Sequence, residues 1–296
     1  MPELPEVEVL VRHLRPLLVG RTIRAVDVRR SRVVRPNEPG ELSRALQGAT
    51  FTGLDRRGKY LLFSLTSGRT GSPLVVLGHL GMTGRMYLLP ADRALPKHAA
   101  VVLDLGPERF VFEDTRYFGR ISLETAPAKA LGPEPLLGDF TAAYLRAALR
   151  KSKQAVKVKL LDQKLVAGVG NIYASEALHR AGISPLAQSC RISTARAQRL
   201  WRAVRFVLRR AIQFGSTVPL EFRGTGDDRL FYYGRAKGSG AGYEEKLQVY
   251  DRGGLPCRRC GTPIRRIVQA GRSTFYCPSC QPRTSAESRL NACKAP

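Results

Sequence analysis

Residues 257–280 read CRRCGTPIRRIVQAGRSTFYCPSC. Two Cys-x-x-Cys pairs, Cys257/Cys260 and Cys277/Cys280, bracket residues 261–276. Four thiolates at this spacing close a tetrahedral Zn²⁺ site of the structural kind, with no position left open for a substrate. A module of about thirty residues buries too little to fold alone, so one structural zinc ion would supply its stability. The segment between the pairs carries Arg265, Arg266 and Arg272 and no acid. A basic hairpin held by zinc suits a nucleic-acid groove. Cys190 and Cys293 stand apart from the cluster, a distribution that points to metal and not to a disulfide framework. A zinc ribbon names no function, so the rest of the chain has to supply one.

The charge balance narrows the choice. The 296 residues include 49 Lys and Arg against 24 Asp and Glu, a formal net charge of +25, with a pI near 10.6. Exchange of Lys for Arg changes which base is used, not the two-to-one excess of bases over acids. Such a field attracts a polyanion, and a phosphate backbone is the commonest one, bound in a salt-sensitive way. A membrane surface is disfavoured, because no amphipathic helix with a bulky apolar face stands free. No run approaches the roughly 18–20 apolar residues of a membrane span, and acids stand where a signal peptide would carry bases. The expectation is a soluble, cytoplasmic protein of about two domains, with 43% hydrophobic residues to build its cores.

Periodicity sets the organisation. Residues 3–18, ELPEVEVLVRHLRPLL, place Val7, Leu10, Leu14 and Leu17 at three- and four-residue spacing, which predicts a helix. Pro5 fits its first turn. From about 22 to 125 the chain turns to short Val/Leu/Phe-rich runs separated by Gly and Pro, as in an antiparallel β-sandwich. LGPER between two of these runs signals a hairpin. Residues 126–137 read as a linker. Helical patterns follow at 141–150, 154–166, 171–182 and 194–213. In the last, Leu200, Val204, Val207 and Ala211 form one face, and Arg199, Arg202, Arg205 and Arg209 the other, an ordinary solvated face. The fold class is therefore α+β. A β-sandwich domain with a leading helix spans 1–130, a helical domain 131–246 and the zinc β-hairpin 247–281. Residues 214–246 form a long Gly-rich loop, and 282–296 a disordered tail.

Two further stretches carry chemistry. In GVGNIYASEAL, Gly168 and Gly170 allow close backbone approach, and Asn171 starts a helix whose N–H groups can take a phosphate. The plainer reading is a helix–turn–helix with Asn171 as its N-cap. At the start of the chain, methionine before a small residue is normally removed, which leaves Pro2 with a secondary amine. An α-amino group titrates near 7.7–8.0, so much of it is nucleophilic at neutral pH. An amine attacking a sugar aldehyde forms a Schiff base, with Glu3 beside it to move a proton. Glu6, one helical turn further on and on the same side of the helix, is a further catalytic candidate.

MPELPEVE, RRGKYLL, GHLGMTGRM, TRYFGR, LGPEPL, GVGNIYASEAL and GRSTFYCPSCQ occur in this order from residue 1 to about 281. Together they resemble the formamidopyrimidine-DNA glycosylase family, also called 8-oxoguanine DNA glycosylase/AP lyase. The resemblance implies a helix–two-turn–helix in the second domain and double-stranded DNA as partner, with a monomeric enzyme in the bacterial nucleoid. It implies excision of oxidised purines (8-oxoguanine and formamidopyrimidines), flipped out of the duplex as base chemistry requires, then strand cleavage by β,δ-elimination. In that reading Pro2 attacks C1′ and Glu3 protonates the opening sugar. Lys59 matches the proton donor for β-elimination and Arg272 the hairpin arginine of δ-elimination. Asn171 matches the phosphate-binding asparagine. His98, Arg116 and Lys153 are candidate DNA contacts. Met82, Arg116 and Phe118 match the residues that fill the gap left by the flipped base, where an apolar wedge offsets unstacking. Taken alone, Met82 and Phe118 read as core residues.

Two rivals set the tests. A sibling glycosylase for oxidised pyrimidines shares Pro2, Glu3, the asparagine and the zinc hairpin. A non-enzymatic zinc-ribbon DNA-binding protein explains charge and cysteines but leaves the opening residues without purpose.

Overall fold

A computed structural model describes residues 2–215 and 247–282. Almost all of the loop assigned to 214–246 and of the tail assigned to 282–296 lies outside the described residues, as do Met1 and Cys293. The described residues divide into two compact units, 2–130 with 212–215, and 131–211 with 247–282.

The first unit opens with helix α1 (Leu4–Leu18). Its apolar stripe, Val7, Leu10, Val11, Leu14 and Leu18, is buried. Eight strands follow: β1 (Ala25–Val28), β2 (Thr50–Arg57), β3 (Tyr60–Thr66), β4 (Pro73–His79), β5 (Gly84–Pro90), β6 (Ala99–Asp104), β7 (Glu108–Asp114) and β8 (Arg120–Ser122). They form two four-stranded sheets, ordered β1-β6-β7-β5 and β2-β3-β4-β8, with antiparallel pairing throughout. LGPER is the β6–β7 hairpin, where Asp104 pairs with Arg109 and the Leu105 N–H donates to Glu108 O at 2.9 Å. The core between the sheets takes Phe51, Leu61 and Phe63 from one and Met86, Phe110 and Phe112 from the other. Phe63 meets Phe110 edge-on at 5.7 Å, a favoured aromatic geometry. Burial of a large apolar side chain contributes about 1.5–3 kcal/mol, so this layer and the α1 stripe hold the unit together.

A 3-10 turn at Ser31–Val33 and one α-helix interrupt the stretch that reads as strands. Residues Pro39–Leu46 form α2, with Pro39 in the first turn and Leu42 and Leu46 buried one turn apart. The short α3 (Ala126–Lys129) occupies part of the segment read as linker.

The second unit holds α4 (Ala142–Arg150), α5 (Val156–Leu160), α6 (Asn171–Ala181), most of α7 (Thr194–Gly215) and the hairpin β9 (Arg265–Gln269) and β10 (Arg272–Tyr276). The helical pattern over 154–166 yields only the short α5, because polar side chains take over the backbone after it. Asp162 accepts from the Lys164 N–H at 2.9 Å. Gln163 donates to Leu161 O and Val169 O and accepts from the Gly168 N–H. These bonds build the turns that lead into α6. On α7, Leu200, Val204 and Ala211 are buried and Val207 is half-buried. Arg199, Arg202 and Arg209 are exposed, whereas Arg205 donates to the carbonyls of Pro135, Leu136 and Leu137. The β9–β10 turn places Ala270 at φ 47° and Gly271 at φ 71°, two successive left-handed residues as a two-residue hairpin turn requires.

Candidate active site

In the first unit the opening residues are anchored. Pro2 is buried, and Glu3 and Glu6 are only 1% and 4% exposed. Glu3 is the N-cap of α1. Its side chain accepts from the Glu6 backbone N–H, while Glu6 Oε2 accepts from the Glu3 N–H at 2.8 Å. This reciprocal capping box fixes the first turn and sets Pro2 directly before a carboxylate that cannot drift. Glu8, on the same helix, accepts from Arg12 and Arg56 at 2.8 Å each. Burial pushes its pKa up, but the two guanidinium bonds outweigh it and hold the carboxyl below its ordinary range.

Lys59 sits in the β2–β3 turn and is 8% exposed. Its neighbour Tyr60 pairs with His79 across β3 and β4, the rings 5.0 Å apart. Burial, with the charges of Lys59 and Arg120, lowers the His79 imidazole to about 4. It is therefore neutral near pH 7, and its Nδ1 accepts from the Gly81 N–H at 3.1 Å.

Two loops carry the residues expected to fill the base gap. Met82 and Phe118 are 42% and 45% exposed, so neither is a core residue. Arg116 lies over the Phe118 ring at 5.0 Å and Arg32 at 5.4 Å, within cation–π range. The loops interlock at Gly81, where a Cβ would come within 2.6 Å of the Phe118 and Gly119 backbone. Asp114, fully buried, joins them. Its Oδ1 accepts from the Thr83 hydroxyl at 2.6 Å and the Arg116 N–H at 3.1 Å. Its Oδ2 accepts from the Gly119 N–H at 2.8 Å. His98 is half-buried, with Nδ1 3.2 Å from the Tyr117 hydroxyl. Tyr117 holds φ 53°, a left-handed conformation uncommon for a bulky residue.

In the second unit Asn171 is the first residue of α6, and the N-cap is Gly170. Asn171 Nδ2 donates to Ser273 O at 2.9 Å, and its Oδ1 accepts from Lys157 Nζ at 2.6 Å. Lys157, 1% exposed, also donates to Ser273 O and to the Thr274 hydroxyl. These bonds set the orientation of the Asn171 amide and tie it to β10, which begins at Arg272. Arg272 is exposed. Lys153 lies exposed on the turn between α4 and α5 and is not among the side chains that meet Asn171. Sequence reasoning missed Lys157. The signal was a lysine flanked by Val156 and Leu160 on the apolar side of a short helix, a place where lysine is rare unless paired. It also missed Asp114 and Glu176. Glu176 accepts the N–H groups of Gln248, Val249 and Tyr250 at 2.9 Å. Burial, the strongest influence, raises its pKa against those bonds.

The four sulfurs of Cys257, Cys260, Cys277 and Cys280 lie within 4.8 Å of one another, with Cys257 to Cys280 at 4.0 Å and Cys260 to Cys277 at 3.4 Å. A tetrahedron with Zn–S near 2.3 Å has sulfurs about 3.8 Å apart, so the set fits one structural zinc. Backbone N–H groups of Arg259 and Cys280 turn back onto Cys257 and Cys277 Sγ. When bound, the ion cross-links the two cysteine turns.

Known proteins match along most of the chain. Residues 1–121 match the family described as the formamidopyrimidine-DNA glycosylase N-terminal domain, 131–220 its H2TH domain, and 254–283 the zinc finger found in FPG and IleRS. A formamidopyrimidine-DNA glycosylase of Rhizorhabdus wittichii is 43% identical over 288 residues, covering 95% of this chain and 100% of that one. The wild-type Lactococcus lactis enzyme complexed with N7-benzyl-Fapy-dG DNA superposes with a TM-score of 0.82 at 33% identity. It covers 95% of this chain and 100% of its own. The same enzyme bound non-covalently to DNA containing an AP site gives a TM-score of 0.81 at 32% identity, with the same coverage.

Proposed function

The chain belongs to the formamidopyrimidine-DNA glycosylase family, and from that premise we propose how its own residues divide the work of that enzyme. It is a DNA-repair glycosylase for oxidised purines in a family that carries AP lyase activity, its partner is damaged duplex DNA, and it holds one structural zinc. The 1–130 domain supplies Pro2, Glu3 and Lys59, and the zinc hairpin adds Arg272 to the elimination. The helical domain and the zinc hairpin hold the phosphates.

Pro2, freed of Met1, supplies its amine lone pair to C1′ of the damaged nucleotide. The C1′–N bond forms, the glycosidic bond breaks, and the base leaves with its electron pair and takes up a proton. Glu3 takes the proton that the amine sheds on bonding to C1′ and passes it to O4′ as the sugar ring opens, which leaves an iminium between Pro2 and C1′. Glu6 acts through Glu3 by fixing its backbone. Lys59 donates the proton for β-elimination, and Arg272 serves δ-elimination and the phosphates. Asn171 binds phosphate through Nδ2, oriented by Lys157. His98, Arg116 and Lys153 contact the DNA backbone, and Met82, Arg116 and Phe118 fill the vacated stack. The enzyme works where its substrate is, in the nucleoid of a bacterial cytoplasm; no described helix is long and apolar enough to cross a membrane.

The observation that carries this reading is the Glu3–Glu6 capping box, which holds a buried Pro2 beside a carboxylate. Borohydride trapping on duplex DNA with one abasic site tests it, after intact mass has established loss of Met1. The native protein is expected to give a covalent adduct and Pro2→Gly none. An equal yield from both would remove Pro2 from the mechanism. Excision of 8-oxoguanine opposite cytosine, compared with excision of thymine glycol, separates the purine enzyme from its pyrimidine sibling.

A further inference from the structure

Helix α6 meets the cysteine module along one face. Its first residue, Asn171, donates to Ser273 O. Glu176 gathers the three backbone N–H groups of residues 248–250. Just past its end, Ile183 O accepts from Gln281 Nε2, whose own Oε1 accepts the Cys277 N–H. Between these points stands His179, three residues after Glu176 and so on the same side of the helix. His179 is 4% exposed, and its Nε2 lies 3.6 Å from Cys257 Sγ. Neither the chemistry at Pro2 nor the phosphate contacts use this imidazole.

We propose that His179 is a positioning residue of the zinc site, its Nε2–H donating a hydrogen bond to the metal-bound Cys257 thiolate. A zinc-bound sulfur brings lone pairs and no proton, so the contact is a hydrogen bond only in the tautomer that carries hydrogen on Nε2. A donor aimed at the sulfur fixes its direction and withdraws charge from it, as outer-shell partners do at metal sites. It also couples the metal to the helix that begins with Asn171. Loss of zinc then loosens the phosphate-binding end of α6 as well as the hairpin.

The test uses the full-length zinc-loaded chain and two variants. His179→Phe keeps bulk and removes the donor, whereas His179→Gln places an amide N–H near the Nε2 position. Zinc transfer to a chromophoric chelator is one readout. The thiolate-to-cobalt charge-transfer band of the Co²⁺-substituted chain is the other. His179→Phe is expected to weaken metal affinity by about 10–100-fold and to move the band to lower energy as the sulfur becomes a stronger donor. His179→Gln is expected to lie closer to the native chain in both. Unchanged retention and an unmoved band in His179→Phe would overturn the proposal. So would equal weakening in both variants with the band unmoved, which is what a merely space-filling ring predicts. If His179→Phe does not fold, His179→Asn replaces it, since its shorter amide cannot reach the sulfur. Identical zinc release from the Asn and Gln variants would then overturn the assignment.

Discussion

Glu6 gives an oxygen to the Glu3 N–H, and Glu3 returns the bond to Glu6. Glutamate is not the preferred N-cap residue, so the sequence ELPE spends helix stability to put a carboxylate next to Pro2. Removing the reciprocal bond should therefore cost both stability and chemistry. Glu6→Ala is expected to lower stability by about 0.5–2 kcal/mol, read as a lowered thermal midpoint, and to slow abasic-site trapping more than it weakens DNA binding. An unchanged trapping rate would leave Glu6 as a cap alone. At the end of β4, His79 makes a pH prediction. Its folded pKa of about 4 lies below the ordinary histidine value of 6.5, so between those values the unfolded chain binds the proton and the folded chain refuses it. This contribution to stability is whole above about pH 6.5 and is lost as pH falls toward 4. Thermal melts of His79→Gln should show a shallower decline across that window than the native chain does.

Between β5 and β7, Asp114 joins two loops that present Met82 on one side and Arg116 and Phe118 on the other. Three donors converge on one carboxylate, and Asn cannot answer all three, because its amide nitrogen faces a donor with a donor. Asp114→Asn is expected to cost about 1–3 kcal/mol of local order. If flipping bears that loss, 8-oxoguanine excision from duplex falls by about 10–100-fold, while trapping on single-stranded abasic DNA, which needs no stack to be filled, stays unchanged. Parallel losses on both substrates would place Asp114 in general folding instead. Much at this scale was legible. The i, i+3, i+4 pattern marked α1, α4, α6 and α7, the apolar runs marked the strands, and LGPER marked its hairpin. What escaped has physical reasons. Helix α2 depends on two leucines, Leu42 and Leu46, too few for a period to stand out among strands. Helix α5 stops where Asp162 and Gln163 bind backbone, which an apolar count cannot register. Lys157 and Lys153 look alike in sequence, and only burial distinguishes the one that holds Asn171. Asp114 escaped because its three donors come from residues up to 31 positions away.

Across the molecule two kinds of electrostatics operate, and they respond differently to salt. The net charge of +25 acts over distance, through water, and is screened beyond about 10 Å at 0.1 M ionic strength. The bonds around Glu3, Asp114 and Lys157 are buried and short, so mobile ions do not reach them. Binding and chemistry should therefore separate when salt is varied. A contact that neutralises about six to ten phosphates loses about 10³–10⁵ in affinity between 50 and 200 mM salt. Affinity for a duplex containing a non-cleavable abasic analogue is expected to fall along such a line. The single-turnover trapping rate at saturating DNA is expected to stay flat over the same range. Within the line, the zinc hairpin can be given its share. Arg265 is exposed at the start of β9, so if the hairpin rides on the backbone, Arg265→Ala should reduce the steepness of the salt slope by about one and weaken all duplexes alike. A trapping rate that fell with salt even at saturation would mean that surface charge positions the reacting groups as well as recruiting DNA. The division of labour between the buried proline and the basic surface would then have to be redrawn.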